Sequence, residues 1–133
     1  MIGLDTNVLI RYLTQDDEAQ SAIATSLIED SLTTQEPGFV SVVTLVEIVW
    51  VLEGCYNCTK DKTLEILERL LRVRQLTIQD SEVVWQAVRL FKTSKADFAD
   101  CLIERIAGAN QCEHTVTFDK MAARTTGMRL LST

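Results

Sequence analysis

Apolar residues along this chain recur in two rhythms, short unbroken runs and longer stretches with helical spacing. Ile2-Gly3-Leu4 is a short run that stops on Asp5, and Thr6 to Leu13 then carries apolar residues at helical spacing. The pattern predicts a buried strand with a carboxylate at its C-terminal tip, followed at once by a helix. Asp16-Asp17-Glu18 places acids at the start of a second helix, where they complement its dipole, and Ile23, Leu27 and Ile28 continue an apolar stripe to about Leu32. Glu36-Pro37-Gly38 reads as a turn, Phe39-Val40-Ser41 as a strand, and Val43 to Leu52 as a helix that Gly54 ends.

Lys60 to Arg72 carries Leu64, Leu67, Leu70 and Leu71 on one helical face. Leu76-Thr77-Ile78 is a strand candidate. Asp80 or Ser81 then caps a helix to about Lys92, with Val84, Ala87, Val88 and Phe91 inward. A further helix is expected over about Asp97 to Ala109, a strand over Thr115-Val116-Thr117, a short helical turn near Lys120 to Ala123, and an edge strand within Met128 to Leu131. Short strands alternating with longer helices point to an α/β protein whose mostly parallel sheet is covered on both faces.

The chain has 133 residues, a length that suits one domain with a substantial core. Its 47% apolar and 24% charged residues are ordinary for a globular protein. The net charge of −6 is less ordinary. Proteins that grip long nucleic acids by their phosphates usually present a basic face; here that face must be small, or the acids must be offset by cations or a basic partner. Residues 1–10 lack the basic start and cleavage site of a signal peptide, and no apolar run reaches the eighteen or so residues that span a bilayer. A soluble cytoplasmic protein is expected.

Cys55 and Cys58 have CxxC spacing, whereas Cys101 and Cys112 lie eleven apart beside a single histidine, His114. A zinc site needs more ligands than this, and a redox motif is expected early in a strand–helix unit rather than after a helix. Reduced thiols with no joint role are the simpler reading.

Five acids stand out. Asp5 ends the first strand, and Asp119 follows the strand at Thr115-Val116-Thr117. Asp97 and Asp100 lie three apart at a helix start, and Glu47 is set among apolar neighbours at 45, 46 and 48 to 52. Helix capping explains Asp5, Asp97 or Asp119 taken singly, and the helix dipole explains Asp100. Glu47 is harder to explain structurally, because charges are rarely buried without a partner; a salt bridge to an arginine is its main alternative. Asp5 and Asp119 both sit at C-terminal strand ends, the edge where open parallel sheets bind ligands. Clustered carboxylates repel unless a cation neutralises them, and oxygen ligands suit Mg²⁺ or Mn²⁺. With one histidine and no nucleophile elbow or phosphate loop, metal-assisted phosphodiester chemistry is the class that remains.

At these residues the chain resembles the PIN-domain family, and within it the VapC-type toxins of toxin–antitoxin modules. Gly3-Leu4-Asp5-Thr6-Asn7-Val8-Leu9-Ile10 is similar to the family's opening motif, and Ser41 through Thr44 to Glu47 to its second. Ala96-Asp97-Phe98-Ala99-Asp100-Cys101-Leu102-Ile103 resembles the third and Thr117-Phe118-Asp119 the fourth. The resemblance implies a PIN-like three-layer sandwich over residues 1–133, with four to five short, mostly parallel strands flanked by helices. It implies a Mg²⁺-dependent endoribonuclease that hydrolyses RNA, is inhibited by a cognate antitoxin and forms a homodimer. Asp5, Glu47 and Asp100 match the metal-binding, catalytic acids, and Asp119 a weaker fourth. Thr6, Asn7 and Thr117 match supporting positions, and Asp97 a cap or supporting acid. Cys101 stands where the family usually has alanine. Arg11, Lys92 and Lys95 are candidates for steering phosphates, though solvated surface charge explains each. Two other readings compete. Leu4-Asp5-Thr6-Asn7 faintly resembles haloacid-dehalogenase phosphatases with Asp5 as nucleophile, but Asn7 stands where they need a second aspartate. The other is a catalytically silent protein-binding domain.

Overall fold

The computed structural model describes residues 1–132 and divides into two compact units, Met1–Gln79 and Asp80–Thr133. In the first unit the order is β1 (Ile2–Gly3), α1 (Thr6–Thr14), α2 (Glu18–Ser26), β2 (Gly38–Val40), α3 (Val42–Gly54), α4 (Lys60–Leu71) and β3 (Leu76–Ile78). The second holds α5 (Ser81–Thr93), α6 (Phe98–Ala109), β4 (Val116–Thr117), α7 (Lys120–Thr126) and β5 (Arg129–Leu130). The α/β alternation expected from the sequence is present, and every strand pairing among the described residues is parallel.

In the first unit β2 is central, pairing Ile2 with Gly38 on one side and Gly38 with Leu76 on the other. Its core is built from Leu9 and Ile10 of α1, Val40 of β2, Leu45, Ile48 and Leu52 of α3, and Leu67 and Leu70 of α4, each at most 1% exposed. Each such side chain contributes about 1.5–3 kcal/mol of apolar burial. Gly38 is a close approach: a methyl group at its Cβ position would lie 2.7 Å from Leu4 Cδ1 and 2.9 Å from Leu32 Cδ1.

In the second unit β4 and β5 pair Val116 with Arg129 and Thr117 with Leu130. Val84, Ala87, Val88 and Phe91 of α5 are buried as the periodicity predicts, and the Phe91 ring packs on Phe98 of α6 with centroids 5.7 Å apart.

Several boundaries differ from the sequence expectation. The second helix widens after Ser26 into a π turn over Leu27–Ser31, closed by the Leu32 N–H donating to the Leu27 carbonyl at 2.9 Å. Its inward positions are Ser21, Ala24 and Ile28, which leaves Ile23 outside that stripe and 71% exposed. The strand at Phe39 ends one residue early because Ser41 serves as the cap of α3, its hydroxyl accepting from the Thr44 N–H at 3.2 Å. Asp80 occupies the cap position of α5 but in a left-handed conformation (φ 48°), with no side-chain bond to the helix. The last helix runs on to Thr126 and ends on Gly127 at φ 89°, a conformation glycine adopts without steric cost.

Candidate active site

β1 delivers Asp5 to the first residue before α1, where an aspartate ordinarily accepts a bond from the helix N-terminus. Asp5 does not: the helix starts with Val8 N–H donating to its backbone carbonyl at 3.1 Å, while its carboxylate makes no cap bond and stays exposed. Capping therefore does not account for this side chain. Thr6, only 7% exposed, donates its hydroxyl to Glu47 Oε1 at 2.7 Å. Glu47 itself is exposed rather than enclosed by its apolar neighbours, and its partner is this threonine, not an arginine. Helical geometry is the reason: Thr44, Leu45, Ile48 and Val49 take the buried face of α3, and position 47 falls on the open one.

Asn7 is exposed and lines a groove of about 290 Å³ with Val8, Arg11, Gln20, Ile23 and Leu27. Arg11 is not free to steer a phosphate. Its guanidinium pairs with Asp16 Oδ1 at 3.1 Å and donates to Gln20 Oε1 at 2.7 Å and the Tyr56 hydroxyl at 3.3 Å. Tyr56 in turn donates to Asp16 Oδ2 in a short hydrogen bond. That bond, with help from Thr14 and Arg11, holds the Asp16 carboxyl below its usual range against the opposing effect of desolvation.

In the second unit Asp97 caps α6, accepting from the Asp100 N–H at 2.8 Å. Asp119 caps α7, accepting from Met121 and Ala122 N–H at 2.8 and 3.0 Å. Thr117 supports that turn, its hydroxyl oxygen accepting from the Asp119 N–H at 3.0 Å. Asp100, one turn into α6, caps nothing. Burial raises its proton affinity, and so do the charge of Asp97, a carboxyl–carboxyl hydrogen bond with it, and the charge of Asp119. These three acids thus feel one another.

Among the described residues no lysine or arginine pairs with Asp5, Glu47, Asp97, Asp100 or Asp119. Among the described residues no group of three or more acid, histidine or cysteine side chains stands close enough to hold a metal ion. The donors are nonetheless of the kind a hard divalent cation takes, all carboxylate oxygen, and a cation would relieve the repulsion at Asp100. The four cysteines are thiols; Cys55 and Cys112 are exposed and Cys101 is buried in α6, a small apolar-like side chain where it stands.

A family model described as the PIN domain matches residues 2–128. The chain belongs to the PIN-domain family. That membership displaces the dehalogenase-like alternative and agrees with the parallel α/β pairing. The chain is 26% identical over 99 residues to a VapC ribonuclease of Aquifex aeolicus (strain VF5), across 74% of this chain and 73% of that one. Among solved structures it is similar to VapBC2 from Rickettsia felis bound to a promoter DNA fragment, at 18% identity, TM-score 0.38 and 98% coverage of both chains. FitAcB from Neisseria gonorrhoeae aligns at 20% identity and TM-score 0.37, covering 99% of this chain and 97% of that one.

Two polar residues near the PIN motifs carry no sequence signal of their own. Gln79 follows β3, yet its Oε1 accepts from the Val42 N–H at 2.9 Å. Tyr56 sits inside the CxxC spacing that draws attention to its neighbours, and it is the residue there with long-range bonds.

Proposed function

We propose that this PIN-domain protein is a VapC-like, Mg²⁺-dependent endoribonuclease (Mn²⁺ substituting), acting as a single domain over residues 1–133. One observation supports it most. In a member of a family with a VapC ribonuclease among its relatives, the acids at the motif positions are spared from ion pairing, and Asp5 is spared from capping as well. An aspartate at a helix cap position ordinarily accepts a bond from that helix, and the Asp5 carboxylate does not.

Asp5, Glu47 and Asp100 are proposed to hold the metal and act in catalysis, with Asp119 a fourth acid. Thr6 orients Glu47 by fixing one carboxylate oxygen and leaving the other open. Asp97 shapes the start of α6 and raises the proton affinity of Asp100, so that Asp100 gains most from a neighbouring cation. Thr117 sets the turn that carries Asp119, and Asn7 offers an exposed amide beside Asp5 for a phosphate or sugar oxygen. Mg²⁺, when bound, supplies charge neutralisation at the scissile phosphate and lets water attack near neutral pH without a histidine base.

A cognate antitoxin with a basic segment, a homodimer and a cytoplasmic setting complete the proposal. The acidic net charge supports the first of these, and no described helix is long and apolar enough to cross a membrane. The test is cleavage of total cellular RNA with Mg²⁺, with and without EDTA, by the wild type and Asp5→Asn. Metal-dependent cleavage lost in the variant is the expected result. Equal cleavage by both proteins, or cleavage indifferent to EDTA, would overturn the assignment.

A further inference from the structure

Helix α3 is apolar almost all round: from Val42 to Leu52 its only polar side chains are Thr44 and Glu47. Apolar burial is non-directional. Burying Leu45, Ile48, Val49 and Leu52 therefore sets which face of the helix turns inward but not the position of its first N–H. Directional bonds must supply that. The Ser41 side chain bonds only within the helix's own first turn, so the cap itself reaches no other element.

Gln79 is different. Its N–H donates to the Val40 carbonyl at 2.9 Å, prolonging the β2–β3 ladder by one bond. Its side-chain Oε1 accepts from Val42 N–H at 2.9 Å, the first N–H of α3 and one of the four that no helix can satisfy internally. One residue thus grips the chain on both sides of Ser41, and it does so from the neighbouring strand.

We propose that Gln79 is a positioning residue for Glu47. It anchors the start of α3 to the three-stranded sheet, so that Glu47, in the second turn, is held where the Thr6 hydroxyl reaches it. Glutamine suits the task because it combines a neutral acceptor with a three-bond reach from the end of a strand. The inference rests on Glu47 acting in RNA cleavage, as proposed above.

The test uses the full chain in four forms, Gln79→Met, Gln79→Glu, Glu47→Gln and the double variant Gln79→Met with Glu47→Gln. Two readouts are compared: amide hydrogen exchange at Val42, and single-turnover cleavage of total cellular RNA at saturating protein with Mg²⁺. Gln79→Met keeps the length and loses the acceptor. It is expected to speed Val42 exchange and slow cleavage, each about tenfold, the effect of one net hydrogen bond. Gln79→Glu, which keeps an acceptor, restores most of both. In the Glu47→Gln background Gln79→Met adds no further loss of cleavage, because its effect passes through Glu47. Should Gln79→Met not fold by circular dichroism, Gln79→Asn, one methylene short, takes its place. Unchanged Val42 exchange, unchanged cleavage, or losses that multiply in the double variant would overturn the inference. Full cleavage by Glu47→Gln would instead overturn the role of Glu47, while the exchange result would still report on the Gln79 bond.

Discussion

Thr6 and Glu47 are 41 residues apart in sequence and 2.7 Å apart in space, the threonine hydroxyl donating to one carboxylate oxygen. The bond joins the first residue of α1 to the second turn of α3. Thr6 is itself buried at the helix start, so its χ1 is set by packing and the glutamate is aimed rather than merely touched. Thr6→Val keeps the branched shape and removes the donor. Its RNA cleavage is expected to fall about tenfold, since a hydrogen bond to a charged group is worth about 1.5 kcal/mol net, while the melting temperature falls by no more than a few degrees. Thr6→Ser should recover most of the rate. Equal rates for Thr6→Val and wild type in a single-turnover assay would show that Glu47 needs no such aim.

Asp5 sits at a cap position without capping. Asn and Ser are equally good caps, so Asp5→Asn or Asp5→Ser costs the fold nothing and gains stability wherever the new side chain makes the missing bond. The expected outcome is a melting temperature equal to or above that of the wild type together with lost cleavage. Thermal unfolding and RNA cleavage on the same preparations check this, and a variant that melts markedly lower would assign Asp5 a structural role.

Asp100 gives a pH dependence with a definite sign. Burial and the charges of Asp97 and Asp119 raise its proton affinity in the folded state. Below its unfolded pKa of about 3.9 the group is protonated in both states and costs nothing. As pH rises from there through the folded value, the native state loses a proton it held more tightly, and stability falls. The cost is then constant up to neutral pH. Asp100→Asn should therefore melt higher than wild type at pH 7 and equally at pH 3 in metal-free buffer. Added Mg²⁺ should raise the wild-type melting temperature and leave the Asn variant less affected.

Asp16 titrates in the opposite sense. Tyr56 holds its carboxyl below the usual range, helped by Thr14 and Arg11, so the stabilisation is present above the unfolded pKa. It fades as pH drops through the folded value. In Tyr56→Phe, carbon-detected NMR titration should find the Asp16 midpoint moved up towards that of an ordinary aspartate. An unmoved midpoint would leave the tyrosine bond without electrostatic effect.

What the sequence conveyed followed from how local each feature is. Alternation of short apolar runs with amphipathic stretches is written in neighbouring residues, and the α/β order was legible from it. Asp97 as a cap was legible for the same reason, since its acceptor and donor lie three positions apart. The partner of Glu47 was not, because Thr6 meets it only after α2 and β2 intervene. Gln79 carried no local sign of the bond it makes to Val42 across 37 positions. Ile23 reads as part of the apolar stripe because Leu27 and Ile28 follow it at helical spacing; the competing stripe through Ser21 and Ala24, two small residues, takes the buried face. Asp80 looked like a helix cap by residue type, but its left-handed backbone makes no cap bond.

The tight fit at Gly38 reaches further than packing. The side chains it accommodates are those of Leu4 and Leu32, and Leu4 is the residue immediately before Asp5, so a substituent at 38 displaces a buried side chain next to the first acid. A survey of every single substitution, scored only by RNA cleavage, would therefore rank position 38 beside the acids and invite its annotation as catalytic. Scoring the same library for protein abundance would separate the two: alleles at Asp5 fail in silence at full abundance, whereas alleles at Gly38 disappear from the cell as well.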